Sequence, residues 1–338
     1  MNITILGAGA WGTAMAVSLA GRHQVLLWGR ETERVVEAEK SRVNNMGLPG
    51  VQLPDSLHLT PDFEQAANHG CGRTGLVIVA TAVAGLRPVL TQLKSYPVKN
   101  VIWLCKGFEQ KTGLLPSQVA KEVLGEADIN LGVLSGPSFA QEVAAGLPCA
   151  LTIASQSEAL RGMVVGAMNA GTMRIYCSND VIGVEVGGAL KNILAVATGI
   201  ADGLSMGMNA RAALVTRGLA EITRMGVALG GRLETFMGLT GVGDLILTCT
   251  GDLSRNRRVG LGLAKGKTLA QIVEELGHVA EGVNCAHTVR ELSQKMGVEM
   301  PVTHAVAEVL FDGVSIKEAI ARLMSRHVRD ENDVLYQQ

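Results

Sequence analysis

The sequence predicts two domains: an α/β domain with a doubly wound, mostly parallel sheet over residues 1–180, and an all-helical domain over residues 181–338. Three observations predict this division. In the first half, short apolar runs rich in β-branched residues alternate with helical patterns, which is typical of a parallel sheet covered by helices. A glycine-rich turn follows the first of these runs. From about residue 180, strand-like runs largely vanish and long helical patterns dominate.

Each strand is predicted from a short apolar run bounded by turn residues. Two of these runs, residues 75–80 and 101–105, are apolar almost throughout, as expected of strands buried on both faces. The predicted strands are residues 2–6, 24–28, 57–60, 75–80, 101–104, 131–134, 149–154 and 173–176. The predicted helices of the second half are residues 181–200, 209–229, 268–276, 283–296, 302–311 and 315–325.

The overall composition argues against several classes of partner. The 338 residues carry a net charge of −1, so no bulk field attracts nucleic acid, and we expect no nucleic-acid partner. The N-terminus lacks the charged start of a signal peptide, and no uninterrupted apolar run is long enough to predict a membrane span. The six cysteines are scattered without metal-ligand spacing, which predicts free thiols, no metal site and a cytoplasmic protein.

The most informative motif comes directly after the first predicted strand. Gly7-Ala8-Gly9-Ala10-Trp11-Gly12 is a G-x-G-x-x-G sequence followed by an alanine-rich helical stretch, and this order is the context of a dinucleotide-binding fingerprint. In that fingerprint Gly7 allows the tight turn, Gly9 lets the backbone approach a pyrophosphate, and Gly12 lets the helix pack closely. The helix N-terminus then offers N–H groups to the phosphates. The motif predicts a nucleotide-binding Rossmann domain, and a tight turn without a ligand is the alternative.

The residues after the second predicted strand indicate which nicotinamide cofactor would bind. An acidic residue at this point favours NAD, because it binds the ribose 2′-hydroxyl, whereas an arginine suits the 2′-phosphate of NADP. Arg30 comes first here and Glu31 follows. The sequence therefore favours NADP without excluding NAD, and a solvated charge at a strand end is the alternative for Arg30.

Two segments place polar side chains at the carboxyl ends of predicted strands. Lys106 follows the strand 101–104, and the turn of residues 135–140, which contains Ser138, follows the strand 131–134. The carboxyl ends of parallel strands face the ligand crevice in such sheets. The alternatives are a surface strand end for Lys106 and a simple helix cap for the turn 135–140.

Lys191 lies in a third segment, within the predicted helix 181–200 and close to Gly187 and Gly188. Each mid-helix glycine costs about 1 kcal/mol relative to alanine, a cost that is tolerated where something must pack very close. A lysine that is desolvated among apolar neighbours has a lowered pKa and can exchange protons near neutral pH. A lysine whose ammonium reaches solvent is the alternative.

The fourth segment combines an isolated acid with a polar cluster. Asp244 interrupts an apolar run, and Ser254, Arg255 and Asn256 follow shortly after. A hydroxyl, a guanidinium and an amide within three residues suit a phosphate monoester, since arginine can bind its oxygens bidentately. A solvated basic turn is the alternative.

Taken together, these segments closely resemble the bacterial NAD(P)-dependent sn-glycerol-3-phosphate dehydrogenases. The resemblance spans nearly the whole chain and rests on GAGAWGTA, LWGR, CKGFE, LSGPSFA, GVEVGGALKNILA, NARAALVTRGLAE, GLTGVGDLILTCTGDLSRNRRVG and VAEG. It implies a Rossmann domain followed by an all-helical substrate domain, and a homodimer. It also implies reversible hydride transfer between NADPH or NADH and dihydroxyacetone phosphate, giving sn-glycerol 3-phosphate for glycerophospholipid synthesis.

The same resemblance implies roles for individual residues. Lys191 would be the catalytic acid/base, and Lys106 would help to stabilise the oxyanion. Asp244 and Asn192 would hold Lys191 or a substrate hydroxyl in place. The implied substrate contacts are Lys106, Gly136, Ser138, Lys191, Asn192, Asp244, Ser254, Arg255 and Asn256. The implied cofactor contacts are Gly7, Gly9, Ala10, Trp11, Gly12, Arg30, Lys106, Ala140, Arg255, Val279 and Glu281. Ala10 stands where many relatives have serine, so a hydrogen bond to the pyrophosphate would be missing there.

Two other functions compete with this one. A dehydrogenase of another substrate, a 3-hydroxy acid or ketopantoate, would also pair a Rossmann domain with helices and a lysine. The segment 254–256 favours a phosphorylated substrate over a carboxylate, although arginine binds both. A non-catalytic module that senses NADPH would bind cofactor without turnover, and the presence of Lys191 and Asp244 argues against it.

Overall fold

The computed structural model describes residues 1–125, 128–277 and 280–327. The chain divides into two compact units. The first comprises Met1–Glu109 and Pro116–Val181, and the second comprises Gln110–Leu115 together with the chain from Ile182 onward. The short segment Gln110–Leu115 therefore belongs to the second unit, although it lies within the first half of the sequence. No sequence motif predicted this assignment.

The first unit is built on one eight-stranded sheet. Its strands are β1 (Asn2–Leu6), β2 (Gln24–Trp28), β3 (Leu57–Thr60), β4 (Leu76–Val79), β5 (Asn100–Trp103), β6 (Asn130–Ser135), β7 (Cys149–Ala154) and β8 (Met173–Ser178). Their spatial order is β3-β2-β1-β4-β5-β6-β7-β8. Strands β1 to β6 are parallel, β7 is antiparallel to β6, and β8 is parallel to β7. The predicted doubly wound, mostly parallel sheet is confirmed, and each strand lies within two residues of its predicted bounds.

In the described part of the first unit, seven helices accompany this sheet. They are α1 (Ala10–Ala20), α2 (Thr32–Ser41), α3 (Phe63–His69), α4 (Val83–Leu93), α5 (Pro116–Leu124), α6 (Ala140–Ala144) and α7 (Glu158–Met168). All four residues of β4 are buried, as the continuous apolar run predicts for a central strand. Ile3 and Ile5 of β1 share one core with Met15 and Leu19 of α1. The strand order reverses beside β1, so the carboxyl ends of β1 and β4 mark the place where ligands bind in sheets of this kind.

The described part of the second unit contains helices and loops without a strand of the sheet. The helices are α8 (Val181–Gly203), α9 (Met208–Ala228), α10 (Leu233–Phe236), α11 (Asp244–Thr250), α12 (Arg255–Ala264), α13 (Leu269–Leu276), α14 (Glu281–Met296), α15 (Pro301–Phe311) and α16 (Ile316–Met324). A π-helical turn, Leu239–Gly243, leads into α11. The six predicted helices are present. The pattern did not predict α10, the π-helical turn, α11 or α12.

Helix α8 forms the centre of this unit. By length and composition alone it could cross a membrane, and it is the one helix among the described residues that could. However, 89% of its most apolar window is buried inside the protein. Glu185, Lys191 and Asn192 interrupt the apolar sequence, and all three are themselves buried. A helix that is buried on every side is apolar all round for that reason, so α8 has the character of a core helix.

Glycines let the backbone of α8 approach its neighbours. A Cβ atom at Gly187 would lie 2.5 Å from the carbonyl oxygen of Thr240 in the π-helical turn. A Cβ at Gly199 would lie 2.1 Å from the carbonyl oxygen of Arg257 in α12. The sequence expectation of very close packing beside Gly187 therefore has a specific partner. Between these two contacts α8 carries Lys191, which is thus held by backbone packing on either side.

Candidate functional site

The glycine turn, residues 7–12, has the backbone that the fingerprint requires. Gly7 has a φ of +128°, and a Cβ there would lie 2.8 Å from the carbonyl group of Ala80. A Cβ at Gly12 would lie 2.0 Å from the carbonyl oxygen of Gly7. Gly9 differs, since its φ of −78° suits any residue and a Cβ there would meet no described atom within 4 Å. The fold requires glycine at positions 7 and 12, whereas the space beside Gly9 is open to a ligand.

The N-terminus of α1 is suited to an anion. Gly9 is its N-cap, and no side chain of the described residues caps the helix. The N–H of Thr13 donates to the carbonyl oxygen of Gly9 at 2.9 Å, so the N–H groups of Ala10, Trp11 and Gly12 precede the first helical hydrogen bond. These groups and the positive end of the helix dipole fit the pyrophosphate of a dinucleotide. Ala10 offers only its backbone to such a ligand.

Arg30 and Glu31 differ in their surroundings at the end of β2. Arg30 is exposed, and no ion pair joins it to another residue in the described ranges. Glu31 is paired with Arg34, whose Nε lies 3.0 Å from Oε2 of the carboxylate. An unpaired guanidinium beside an occupied carboxylate suits a 2′-phosphate better than a 2′-hydroxyl.

Lys106, Gly136 and Ser138 converge at the carboxyl ends of β5 and β6, which are parallel neighbours. The Lys106 ammonium and the Ser138 hydroxyl each donate to the carbonyl oxygen of Gly136 at 3.1 Å. Gly136 has a φ of +142°, and a Cβ there would lie 3.0 Å from the carbonyl oxygen of Ala150.

The N-cap of α6 is Phe139, and within the described chain no side chain caps that helix. The turn 135–140 therefore leads into a helix, but the Ser138 side chain does not cap it. Ala140 begins α6, which packs against α1.

In the second unit, Lys191 and Asp244 form a buried ion pair. The two residues are 7% and 1% exposed. The Lys191 ammonium donates to Oδ1 of Asp244 at 2.5 Å and to Oγ1 of Thr248 at 2.9 Å. Thr248 lies one helical turn after Asp244 in α11, so one face of α11 supplies both partners. The alternative in which the ammonium of Lys191 reaches solvent is therefore wrong.

Sequence reasoning did not identify Thr248. Its spacing of four residues from Asp244 is the one signal that could have identified it. That signal was hidden because residues 244–250 were not predicted as a helix.

Asn192 begins a hydrogen-bonded chain that links three helices. Its Oδ1 accepts from Nδ2 of Asn256 in α12 at 2.9 Å. Oδ1 of Asn256 accepts from the backbone N–H of Gly282 in α14, also at 2.9 Å. A Cβ at Gly282 would lie 2.4 Å from the carbonyl oxygen of Asn192, so only glycine lets the start of α14 come this close. Gly282 is thus a further residue of the site that sequence reasoning missed.

Ser254, Arg255 and Glu281 occupy helix starts around this chain. Ser254 is the N-cap of α12, where its Oγ accepts from the N–H of Arg257 at 3.2 Å while its own O–H remains a donor. Arg255 and Glu281 are the first residues of α12 and α14. Burial raises the pKa of Glu281 to about 7, and the positive charge of Arg255 opposes this shift. Glu281 therefore changes charge near neutral pH. Val279 lies outside the described residues.

The predicted residues thus form two groups, each within one unit. The first unit holds Gly7, Gly9, Ala10, Trp11, Gly12, Arg30, Lys106, Gly136, Ser138 and Ala140, and the second holds Lys191, Asn192, Asp244, Ser254, Arg255, Asn256 and Glu281. All six cysteines are free thiols. Across the ranges that the structure describes, no cluster of three or more histidine, cysteine or acidic side chains could hold a metal ion.

Comparison with known proteins decides the family. Residues 2–161 match the family profile of the NAD-dependent glycerol-3-phosphate dehydrogenase N-terminus, and residues 180–321 match that of its C-terminus. The chain belongs to the NAD-dependent glycerol-3-phosphate dehydrogenase family.

Individual members of this family are similar along their whole length. A glycerol-3-phosphate dehydrogenase (NAD(P)+) of Herminiimonas arsenicoxydans is 66% identical over 98% of this chain and 99% of its own. A relative of the same name from Janthinobacterium sp. (strain Marseille) is 64% identical over the same shares. The crystal structure of glycerol-3-phosphate dehydrogenase from Coxiella burnetii superposes with a TM-score of 0.89 at 38% identity, covering 96% of this chain and 98% of that one.

Proposed function

We propose that this protein catalyses the NAD(P)-dependent interconversion of dihydroxyacetone phosphate and sn-glycerol 3-phosphate. The observation that carries the proposal is that Asp244 and Thr248 hold the buried ammonium of Lys191. The same chain has a glycine turn with open space beside Gly9. The names of relatives with 66% and 64% identity support the same activity here. The product is the backbone of glycerophospholipids, so the cellular role is the supply of a lipid precursor.

Binding of the pyrophosphate and of the 2′-phosphate is assigned to the first unit. The N–H groups of Ala10, Trp11 and Gly12 would bind the pyrophosphate, and Arg30 would bind the 2′-phosphate, which favours NADPH over NADH. When bound, the nicotinamide donates or accepts the hydride. The further cofactor contacts proposed are Gly7, Gly9, Lys106, Ala140, Arg255, Val279 and Glu281.

Proton transfer is assigned to Lys191. In the reductive direction, negative charge builds on the carbonyl oxygen, and the Lys191 ammonium would donate a proton to it. Asp244 and Thr248 keep that ammonium in one position, which lowers the entropy cost of reaching the reactive geometry. Lys106, held by the carbonyl oxygen of Gly136, would stabilise the same developing charge electrostatically.

The phosphate group of the substrate would bind the protein without taking part in the reaction. Arg255 would bind its oxygens, and the hydroxyl of Ser254 and the amide of Asn256 would add hydrogen bonds. Binding energy from such a remote group orients the reacting carbon and so contributes to the rate. Gly136, Ser138 and Asn192 complete the proposed substrate contacts.

We further propose a cytoplasmic homodimer. The free state of all six cysteines supports a reducing compartment. The resemblance to the family supports the dimer, and sedimentation of the purified protein measures it directly.

The deciding experiment is NADPH oxidation by the purified protein with three carbonyl substrates. We expect rapid NADPH oxidation with dihydroxyacetone phosphate and little with unphosphorylated dihydroxyacetone, because only the former carries the phosphate group that the protein binds. Preferred oxidation with 2-ketopantoate would favour the competing dehydrogenase function. Binding of NADPH without consumption of any substrate would favour the sensing module.

A further inference from the structure

A cluster of ion pairs lies at the end of α8, away from Lys191. The Asp202 carboxylate accepts hydrogen bonds from two arginines. Nε and Nη2 of Arg211 in α9 lie 2.8 and 2.7 Å from its Oδ1. Nε and Nη2 of Arg257 in α12 both lie 2.8 Å from its Oδ2. Four N–H groups of two guanidiniums therefore converge on one carboxylate, and the side chains of Asp202 and Arg257 are only 9% and 11% exposed.

Arg257 belongs to the same turn of α12 as the proposed phosphate ligands. It follows Asn256 directly, and its backbone N–H is the group that Ser254 caps. Its carbonyl group packs against Gly199 of α8. Its Nη1 also donates to Oδ1 of Asp252, which precedes the turn, at 2.9 Å. Arg257 is therefore a buried anchor and not part of the solvated basic turn that the sequence left open for this segment.

Helix α8 holds this turn at two points. Asn192 bonds to Asn256, and Asp202 bonds to Arg257. Eleven residues, about three turns at 3.6 residues per turn, separate Lys191 from Asp202, so both side chains leave the same side of α8. The helix that carries the proposed proton donor is thus also the helix that locates the start of α12.

We propose that Asp202 is a positioning residue for the substrate phosphate, an inference that rests on the proposed function. Oδ2 of Asp202 accepts two hydrogen bonds from Arg257, and by this contact Asp202 holds the first turn of α12 in register with Lys191. Hydrogen bonds between ionised groups are shorter and stronger than those between neutral groups, which suits this pair to holding the turn in one place. Arg211 binds the same carboxylate from α9, a helix that carries none of the proposed substrate residues, and it supplies the matched control.

The test compares Asp202→Asn and Arg257→Gln with Arg211→Gln. For each variant, kcat/KM is measured with dihydroxyacetone phosphate and with unphosphorylated dihydroxyacetone, alongside the Tm. We expect the first two variants to raise the KM for the phosphorylated substrate about 10- to 100-fold, the effect of a displacement of about 1 Å. Their kcat/KM with dihydroxyacetone should hardly change. Arg211→Gln should lower the Tm without raising that KM. If Asp202→Asn folds poorly, Asp202→Glu takes its place. This variant keeps the charge but lengthens the side chain, and it should raise the same KM.

Hydrogen exchange supplies a readout that does not depend on turnover. Backbone amides of residues 254–260 should exchange faster in Asp202→Asn and Arg257→Gln than in Arg211→Gln. If all three variants lose activity equally on both substrates, or if exchange of this turn is unchanged, Asp202 is a structural residue only and the inference is overturned. If the unmodified enzyme does not reduce dihydroxyacetone phosphate, the proposed function fails, while the exchange data still decide whether Asp202 positions α12.

Discussion

Lys191 and Asp244 form a buried ion pair, so a test of the role of Lys191 must account for the partner that is left behind. Removing one partner of a buried ion pair leaves the other uncompensated, at a cost of about 3–5 kcal/mol. A single substitution of Lys191 therefore mixes lost catalysis with lost stability. A double variant that removes both charges separates the two effects.

We expect Lys191→Met to reduce kcat by about 10²- to 10⁴-fold, the usual contribution of a general acid, while NADPH still binds. Its Tm should fall because Asp244 is left unpaired. Lys191→Met with Asp244→Asn should recover most of the Tm and none of the turnover. Steady-state kinetics, NADPH fluorescence titration and thermal melts measure these quantities. Turnover near that of the unmodified enzyme in either variant would contradict the role of Lys191.

Arg30 offers a separate test of cofactor choice, because it is exposed and has no ion pair among the described residues. Arg30→Asp should raise the KM for NADPH far more than that for NADH, since only NADPH carries the 2′-phosphate. Arg22→Asp is the matched control, because it makes the same charge change at another exposed arginine that has no ion pair among the described residues and lies before β2. Equal changes in KM for both cofactors, or an equal effect of the control, would remove Arg30 from the cofactor site.

Glu281 predicts a pH dependence of stability. Its pKa is about 7 in the folded protein, whereas the ordinary pKa of a glutamate side chain is 4.5. The folded state therefore keeps a proton that the unfolded chain releases, so this contribution to stability is complete below pH 4.5 and is lost as the pH rises through 7. Glu281→Gln cannot titrate at this position. The Tm of the variant minus that of the unmodified protein should therefore increase as the pH rises from about 5 to 8. Melting curves measured across this range check the sign, and a constant difference in Tm would refute it.

At the scale of elements, the packing of α8 on α12 sets the geometry of the second group of site residues. Gly199 and Gly260 bring the two backbones together, since a Cβ at Gly260 would lie 2.1 Å from the carbonyl oxygen of Val196. The contact places Asn192 beside Asn256 and Asp202 beside Arg257. A side chain at either glycine would push the helices apart and would disturb both pairs.

Gly199→Ala should therefore destabilise the protein by about 1–3 kcal/mol, as overpacking in a core usually does. Gly162→Ala in α7 is a control of opposite sign, because a Cβ at Gly162 meets no described atom within 4 Å. Replacing such a helical glycine by alanine gains about 0.5–1 kcal/mol. Denaturant titration gives both free energies of unfolding. A neutral Gly199→Ala variant would show that α8 and α12 can separate without cost.

Local pattern also explains which elements the sequence could and could not predict. The strands and the long helices are recognisable because each repeats one hydrophobic period over enough residues. Residues 244–250 form a segment of only seven residues, DLILTCT, which is too short for its hydrophobic period to distinguish a helix from a strand. Helix α12 contains arginines that look solvent-exposed in sequence, whereas Arg257 is buried by its pairing with Asp202.

At the scale of the whole molecule, the sequence alone was enough to predict the sheet and its glycine turn, and it also suggested most of the proposed site residues. Those features follow from short-range rules: the period of apolar residues, the φ that Gly7 and Gly136 must adopt, and the chemistry of side chains in one segment. The resemblance to the family added roles for residues such as Ala140 and Glu281, which no local pattern identifies.

Which of these residues contact one another follows from the packing of the folded chain. Thr248 as a partner of Lys191, Gly282 as a partner of Asn256, and Asp202 as the anchor of Arg257 all join segments that are far apart in the chain. Such contacts depend on how separate helices pack, and that packing arises from many weak interactions spread over the second unit. No short stretch of sequence contains that information, since the partners meet only after the helices have assembled.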